Sequence, residues 1–221
     1  MRSRWFGLIV VALAAAVSVW AYPRLPETVA THWNLRGEPD GYSSRLSAVL
    51  FMPLVILGAT VLFNVLPKLD PRRANYEKFR DSYWLIANAV IAFTLVAHGL
   101  LLGSGMGYAV HIDRLLPLGI GLLLAFLGNY LTRVEPNWFL GIRTPWTLSS
   151  DTVWRKTHRT GGWLFVLGGL VIAAGAFAPR TVFFPLMMGT IVVVCVIPVV
   201  QSYVLWKRES HDRGQAGRAA P

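Results

Sequence analysis

The chain has 221 residues, 54% of them hydrophobic and 14% charged, with nine tryptophans and a formal net charge of +10. An ordinary soluble domain carries about 25% charged residues, so this composition points to a membrane protein, and tryptophan collects at membrane interfaces. The basic excess does not make a nucleic-acid surface, because the lysines and arginines lie between apolar runs rather than in one soluble patch.

Six apolar segments follow in order: Trp5 to Ala21, Leu46 to Leu66, Tyr83 to Leu102, Leu115 to Leu131, Trp163 to Ala178 and Val182 to Trp206. A spanning helix takes about 20 apolar residues, within a range of about 17–25. The second, third and sixth segments meet this; the others borrow residues from their flanks. Unbroken apolar runs without alternation indicate helices rather than barrel strands. The expected fold is therefore an all-α bundle of six transmembrane helices. It divides into an N-terminal unit (1–66), a linker loop with helix 3 (67–114), a unit of helices 4 to 6 (115–206) and a polar, disordered basic tail (207–221). Counted over alternate connections, sixteen of the lysines and arginines fall on one side and five on the other. Both termini and the stretch 135–162 are thereby placed in the cytoplasm.

The first segment also has the features of a secretory signal: a basic start, an apolar run and Val19-Trp20-Ala21 ahead of Tyr22. Cleavage there would leave every later segment in place. Next comes the outer loop, 22–45, which is locally neutral. Thr28 to Trp33 reads as a strand, and Asn34 to Gly37 and Pro39-Asp40-Gly41 read as turns. This loop is expected to form a small ordered extracytoplasmic cap. In the loop at 67–80, Pro67 ends the second helix, and from Arg72 an amphipathic helix leads into the third span. Its basic face is suited to anionic membrane lipid. The single cysteine, Cys195, lies in an apolar run and permits no disulfide framework within one chain.

The stretch EPNWFLGIRTPWTLSSDTVWRKTHRTGG, Glu135 to Gly162, is the longest polar interruption of the second half. Pro136 closes the fourth span. Asn137 suits a turn, Gly141 permits backbone that other residues resist, and Thr144-Pro145 forces extension. Ser149 or Ser150 caps a short helix lying on the inner leaflet. Val153, Trp154 and Thr157 share one face of it, with Arg155, Lys156 and Arg159 largely opposite.

Asn137, then Gly141-Ile142-Arg143-Thr144-Pro145-Trp146-Thr147-Leu148, Val153-Trp154, Thr157-His158-Arg159 and Gly161-Gly162 resemble the signature of the SdpI family. Leu25-Pro26, His32-Trp33-Asn34, Gly37 and Asp40 resemble the uncharacterised domain that commonly precedes that signature. The resemblance implies a six-span bacterial membrane protein of the immunity and signalling type. It further implies an extracellular peptide toxin as ligand, a cytoplasmic transcriptional repressor as partner and no turnover.

On this reading the central loop (Asn137, Gly141, Arg143, Thr144, Pro145, Trp146, Trp154, Thr157, His158, Arg159) gates or docks. The outer loop (His32, Trp33, Asn34, Gly37, Asp40) meets the extracellular agent. Two alternatives stand beside it. A transporter or channel would use Asn64, Asn88, Asn129 and Gln201 as a polar ring open to the cytoplasm, although no Asp, Glu, Lys or Arg lies deep in a span. An outer-face metal-dependent enzyme would draw on His32, His98, His111 and Asp40, which lack compact ligand spacing. No cofactor is expected. A cytoplasmic catalytic group could start only from His158 with Asp151 or Ser150, and no nucleophile motif accompanies them.

Overall fold

In the computed structural model, residues 5–34 and 37–219 are described, with side chains described as far as Asp212. The chain is mostly helical: α1 Phe6–Ala21, a hairpin of β1 Thr28–Trp33 and β2 Pro39–Ser44, α2 Arg45–Leu69, α3 Arg80–Gly105, α4 Ile112–Leu131, α5 Pro145–Ser149, α6 Asp151–Gly175 and α7 Arg180–Ala219. Five helices among the described residues, α1, α2, α3, α4 and α7, are long and apolar enough to cross a membrane. The protein is a helical membrane protein. The sixth long helix, α6, falls outside that set because Asp151, Arg155, Lys156 and Arg159 fill its first three turns.

Two three-helix groups make up the bundle. In the first, α1 packs on α2 and α3, and α2 packs on α3. Its buried contacts include Val10, Ala14, Ile56 and Ile91. In the second, α6 packs on both α4 and α7. Glycine decides how close α4 and α6 come. Gly121 and Gly128 on α4 face Gly169 and Gly162 on α6, each lying against the other helix's backbone. Seven residues is about two helical turns, so both pairs stay on one face. Small residues are what let helix backbones meet within a membrane.

The hairpin closes one end of the bundle. Its antiparallel register pairs Thr28 with Ser44, Val29 with Ser43 and Ala30 with Tyr42, then His32 with Gly41 and Trp33 with Pro39, with irregularities on both sides of His32. The strand expected at Thr28–Trp33 is present. The turn expected at Pro39-Asp40-Gly41 is instead the start of β2. Proline is tolerated as the first residue of an edge strand, and the bulge near His32 absorbs the change of register. Ser44 then caps α2, accepting the Ser47 N–H.

Two further differences from expectation have plain causes. The segment after Arg72 is a short 3₁₀ turn, Arg73–Glu77, and α3 starts only at Arg80, because Asp70 and its partners hold this stretch in place. The expected short interfacial helix and the fifth span are one continuous helix, α6. No proline interrupts it, and Gly161 and Gly162 stay helical because Ile142, Leu131 and α4 pack directly over them. Beyond Trp206, α7 runs on as helix through the tail to Ala219. Residues 220 and 221 lie outside the described residues.

Candidate functional site

The 70–79 connection and the 132–150 connection meet at the end of the bundle opposite the hairpin and interlock there. Asn137 is fully buried. Its Oδ1 accepts from the N–H groups of Phe139 (2.9 Å) and Leu140 (2.6 Å), while its Nδ2 donates to the carbonyls of Glu135 and Leu140, both at 2.9 Å. One side chain thus supplies a whole turn with partners that secondary structure would otherwise provide.

Asp70, only 2% exposed, ties this turn to the other connection. Its Oδ1 accepts the Arg72 N–H, and its Oδ2 accepts the Trp138 N–H (2.8 Å) and the Tyr76 hydroxyl (2.9 Å). The same hydroxyl lies 3.3 Å from Asn137 Oδ1. Burial, and then the hydrogen bond to Asp70, push the Tyr76 phenol far above its ordinary pKa, against the opposing charge of Arg143. Tyr76 therefore stays a donor. Asn75 adds a bond from Nδ2 to the Pro136 carbonyl (2.8 Å). Sequence reading missed Asp70, Asn75 and Tyr76 as members of this site.

His158 and Trp154 form the floor of the clasp. Their rings stack with centroids 4.0 Å apart, and both are almost wholly buried. Trp154 Nε1 donates to the Val134 carbonyl (2.8 Å). His158 Nδ1 faces the Trp154 carbonyl at 2.9 Å, and Nε2 accepts the Ile142 N–H at 3.0 Å. That pair of partners requires a neutral ring with its proton on Nδ1. Burial agrees with this, pushing the His158 pKa down to about 4. The ring lies ahead of the apolar run that opens at Trp163. Gly141, at φ +115°, passes directly over Nε2, leaving no room for a side chain.

Thr144 and Thr147 form a reciprocal capping box on α5, with Pro145 in its first turn. Thr144 Oγ1 also lies 3.0 Å from Ser202 Oγ on α7, and Trp146 packs on Tyr203 at 5.1 Å. Ser150 caps α6 and donates to Glu209 (2.6 Å), while Arg72 reaches both Asp151 (3.2 Å) and the Leu148 carbonyl (2.9 Å). The groups considered for cytoplasmic catalysis, His158, Asp151 and Ser150, are therefore each engaged with a different partner. Thr157, next to His158 in sequence, is buried, and among the described residues its hydroxyl has no hydrogen-bond partner.

What the clasp leaves exposed is basic and aromatic. Arg143 is exposed and donates to the Trp138 carbonyl (2.8 Å); Trp138 is 47% exposed. Arg155, Lys156 and Arg159 project from the outer face of α6, opposite buried Val153, Trp154 and Thr157.

The outer-loop candidates gather at the hairpin end. His32 Nδ1 meets Asp40 Oδ1 across the strands at 2.5 Å, with both side chains well exposed. Trp33 packs on the cluster of Ala21, Leu25, Val29, Ala48, Val49, Leu101 and Leu102. Asn34 and Gly37 form the turn; Gly37, at φ +71°, sits directly on the Arg180–Asp113 ion pair. His32, Trp33, Asn34 and Gly37 also line a cavity of about 660 Å³ beneath the hairpin.

The metal candidates do not come together. His98 is buried on α3, 2.9 Å from Ser18 of α1, whose hydroxyl donates to the Val49 carbonyl. His111 is exposed ahead of α4. Among the described residues no group of three or more His, Cys, Asp or Glu side chains could hold a metal ion. The polar ring does not form either. Asn64 bonds its own helix at Thr60 and lines a polar pocket of about 710 Å³ with Lys68, Tyr76 and Arg80. Asn129 faces outward, and Gln201 bonds Thr160. Asn88 is buried within α3.

The SdpI/YfhL protein family model matches residues 133–202, a range that contains the clasp from Val134 to Ser202. A domain of unknown function (DUF1648) matches residues 9–57, spanning α1, the hairpin and the first half of α2. The chain is 27% identical to "Immunity protein SdpI" of Bacillus subtilis over 213 residues, covering 96% of this chain and 100% of that protein. Residues 133–202 thus carry the signature of the SdpI/YfhL family. An uncharacterized protein of Archaeoglobus fulgidus is 31% identical over 143 residues, covering 55% of this chain and 76% of that one. No solved structure matches the chain. The family signature thus falls mostly on groups bonded inside the clasp, while Arg143 and Arg159 are its charged positions and are exposed.

Proposed function

We propose that this is an immunity-type membrane protein of six spans in the bacterial inner membrane, with both termini in the cytoplasm. The hairpin then lies outside and the clasp inside. The hairpin face binds a toxic extracellular peptide without turnover. The exposed basic surface formed by Arg143, Arg155, Lys156 and Arg159 beside Trp138 docks a cytoplasmic regulator. The observation that carries this reading is the end-to-end similarity to a protein named as an immunity protein. The side-to-side bias of lysine and arginine supports the orientation. In that orientation α6 crosses with its apolar run from Trp163, leaving its charged turns at the inner surface.

The test is survival of a sensitive bacterium expressing the protein under challenge with the SDP-type peptide that the resemblance implies. The parent should protect, and an Arg143→Ala variant that inserts normally should lose protection. Full protection by Arg143→Ala would remove the role given to the exposed loop face. No protection by the inserted parent would remove this peptide as the ligand.

A further inference from the structure

We infer that the cavity beneath the hairpin is a lipid site: one acyl chain of a phospholipid from the leaflet at the hairpin end fills it, with the headgroup at the hairpin. This goes beyond the immunity reading and does not depend on it.

The cavity, about 660 Å³, lies between the two helix groups, with α2 and α3 on one side and α4 and α7 on the other. Its volume is in the range of sites that enclose a ligand, about 300–1,000 Å³. Its polarity is graded. The mouth carries His32, Asn34, Asp113 and Arg180. The deeper wall is Val55, Phe93, Ala97, Leu116, Phe184 and Met187. Phenylalanine and methionine suit a flexible apolar chain, since methionine adapts its shape to its contact.

Depth selects the occupant. From the hairpin-end terminus of α2 at Arg45, the lining reaches Val55; from that of α3 at Gly105, it reaches Phe93. At 1.5 Å per residue, these are ~15 and ~18 Å. Half of a hydrocarbon core of about 30 Å is ~15 Å. The cavity therefore has the depth of one leaflet, is polar where that leaflet is polar, and is apolar below. Both walls are helices long and apolar enough to cross a membrane; within it the adjoining phase is hydrocarbon, and an acyl chain enters at no cost in exposed apolar surface. At the mouth, Arg180 offers a guanidinium that suits a phosphate, beside its partner Asp113.

The experiment reconstitutes the full chain in phosphatidylcholine vesicles containing a phosphatidylcholine with a diazirine at the end of one acyl chain. After illumination, the labelled residues are mapped by mass spectrometry. Label is expected on the deep wall, at Val55, Phe93 or Met187, competed by unlabelled lipid and lost in Ala97→Trp, which fills the cavity. Met187→Trp fills it from the opposite wall and serves if Ala97→Trp fails to fold, folding being checked by thermal melting. Label confined to outward positions such as Leu62 and Val96, unchanged in the filled variants, would overturn the inference. So would a cavity labelled only by an added photoreactive apolar peptide, which would assign it to a peptide.

Discussion

The two ends of this molecule are built on opposite principles. At the clasp end, all but Thr157 of the buried polar groups described above are met by a named partner: Asn137, Asp70, Tyr76 and His158 spend their bonds on backbone or on one another. At the hairpin end, the polar pairs His32–Asp40 and Arg180–Asp113 are partly or well exposed, and below them lies a cavity. Buried polar groups are costly to leave unpaired, whereas exposed ion pairs contribute little. The first end is therefore fixed and the second adaptable. A ligand finds an apolar-walled cavity at the hairpin; a partner at the clasp finds the exposed basic rim and the polar pocket beside Asn64, Lys68 and Arg80.

The largest effect that could sharpen this contrast is at Asn137. Asn137→Ala removes a donor and an acceptor that serve four backbone groups, and should destabilise the protein by about 3 kcal/mol in detergent unfolding. A loss below about 1 kcal/mol would show that the turn does not depend on this side chain. Next is His158. The folded protein holds its ring neutral, with the pKa lowered from 6.5 to about 4. Stability should then be intact above pH 6.5 and fall as pH drops from 6.5 towards 4, because the unfolded state takes the proton first. By pH 5 the loss approaches about 2 kcal/mol. His158→Leu should abolish this acid-dependent component while lowering stability at pH 7 by about 2 kcal/mol. An unchanged acid profile in that variant would contradict the tautomer assigned above.

Smaller effects test the exposed groups. Arg143→Ala loses one exposed bond to a carbonyl and should cost less than about 1 kcal/mol, so any loss of protection would come from function rather than folding. His32→Ala breaks an exposed pair and should change stability by about 0–1 kcal/mol. A large drop there would make the hairpin as rigid as the clasp and erase the contrast.

Much of the fold was legible in the sequence, because apolar length is a local signal. The face of α6 was legible too: Val153, Trp154 and Thr157 inward and Arg155, Lys156 and Arg159 outward follow from helical periodicity. Asp70 was not. In a loop with five basic residues it reads as solvated, and its partner Trp138 is 68 positions away. Continuity of α6 was hidden by its charged turns, and β2 by a Pro-Asp-Gly that reads as a turn. The cavity could not be read at all, since five elements from both halves make its wall. Asn137 was expected to bond local backbone, which it does; its link to Tyr76 needed the fold.

Amide hydrogen exchange on the purified protein tests the contrast most directly. The N–H groups of Trp138, Phe139, Leu140 and Ile142 lie in an irregular loop, yet each has a side-chain acceptor. They should exchange as slowly as amides in the helix interiors, while the amides of Asn34 and Gly37, whose acceptors Glu38 and Asn34 lie within the hairpin turn itself, exchange faster. Loop amides exchanging as fast as those of the hairpin turn would contradict the account of a fixed clasp.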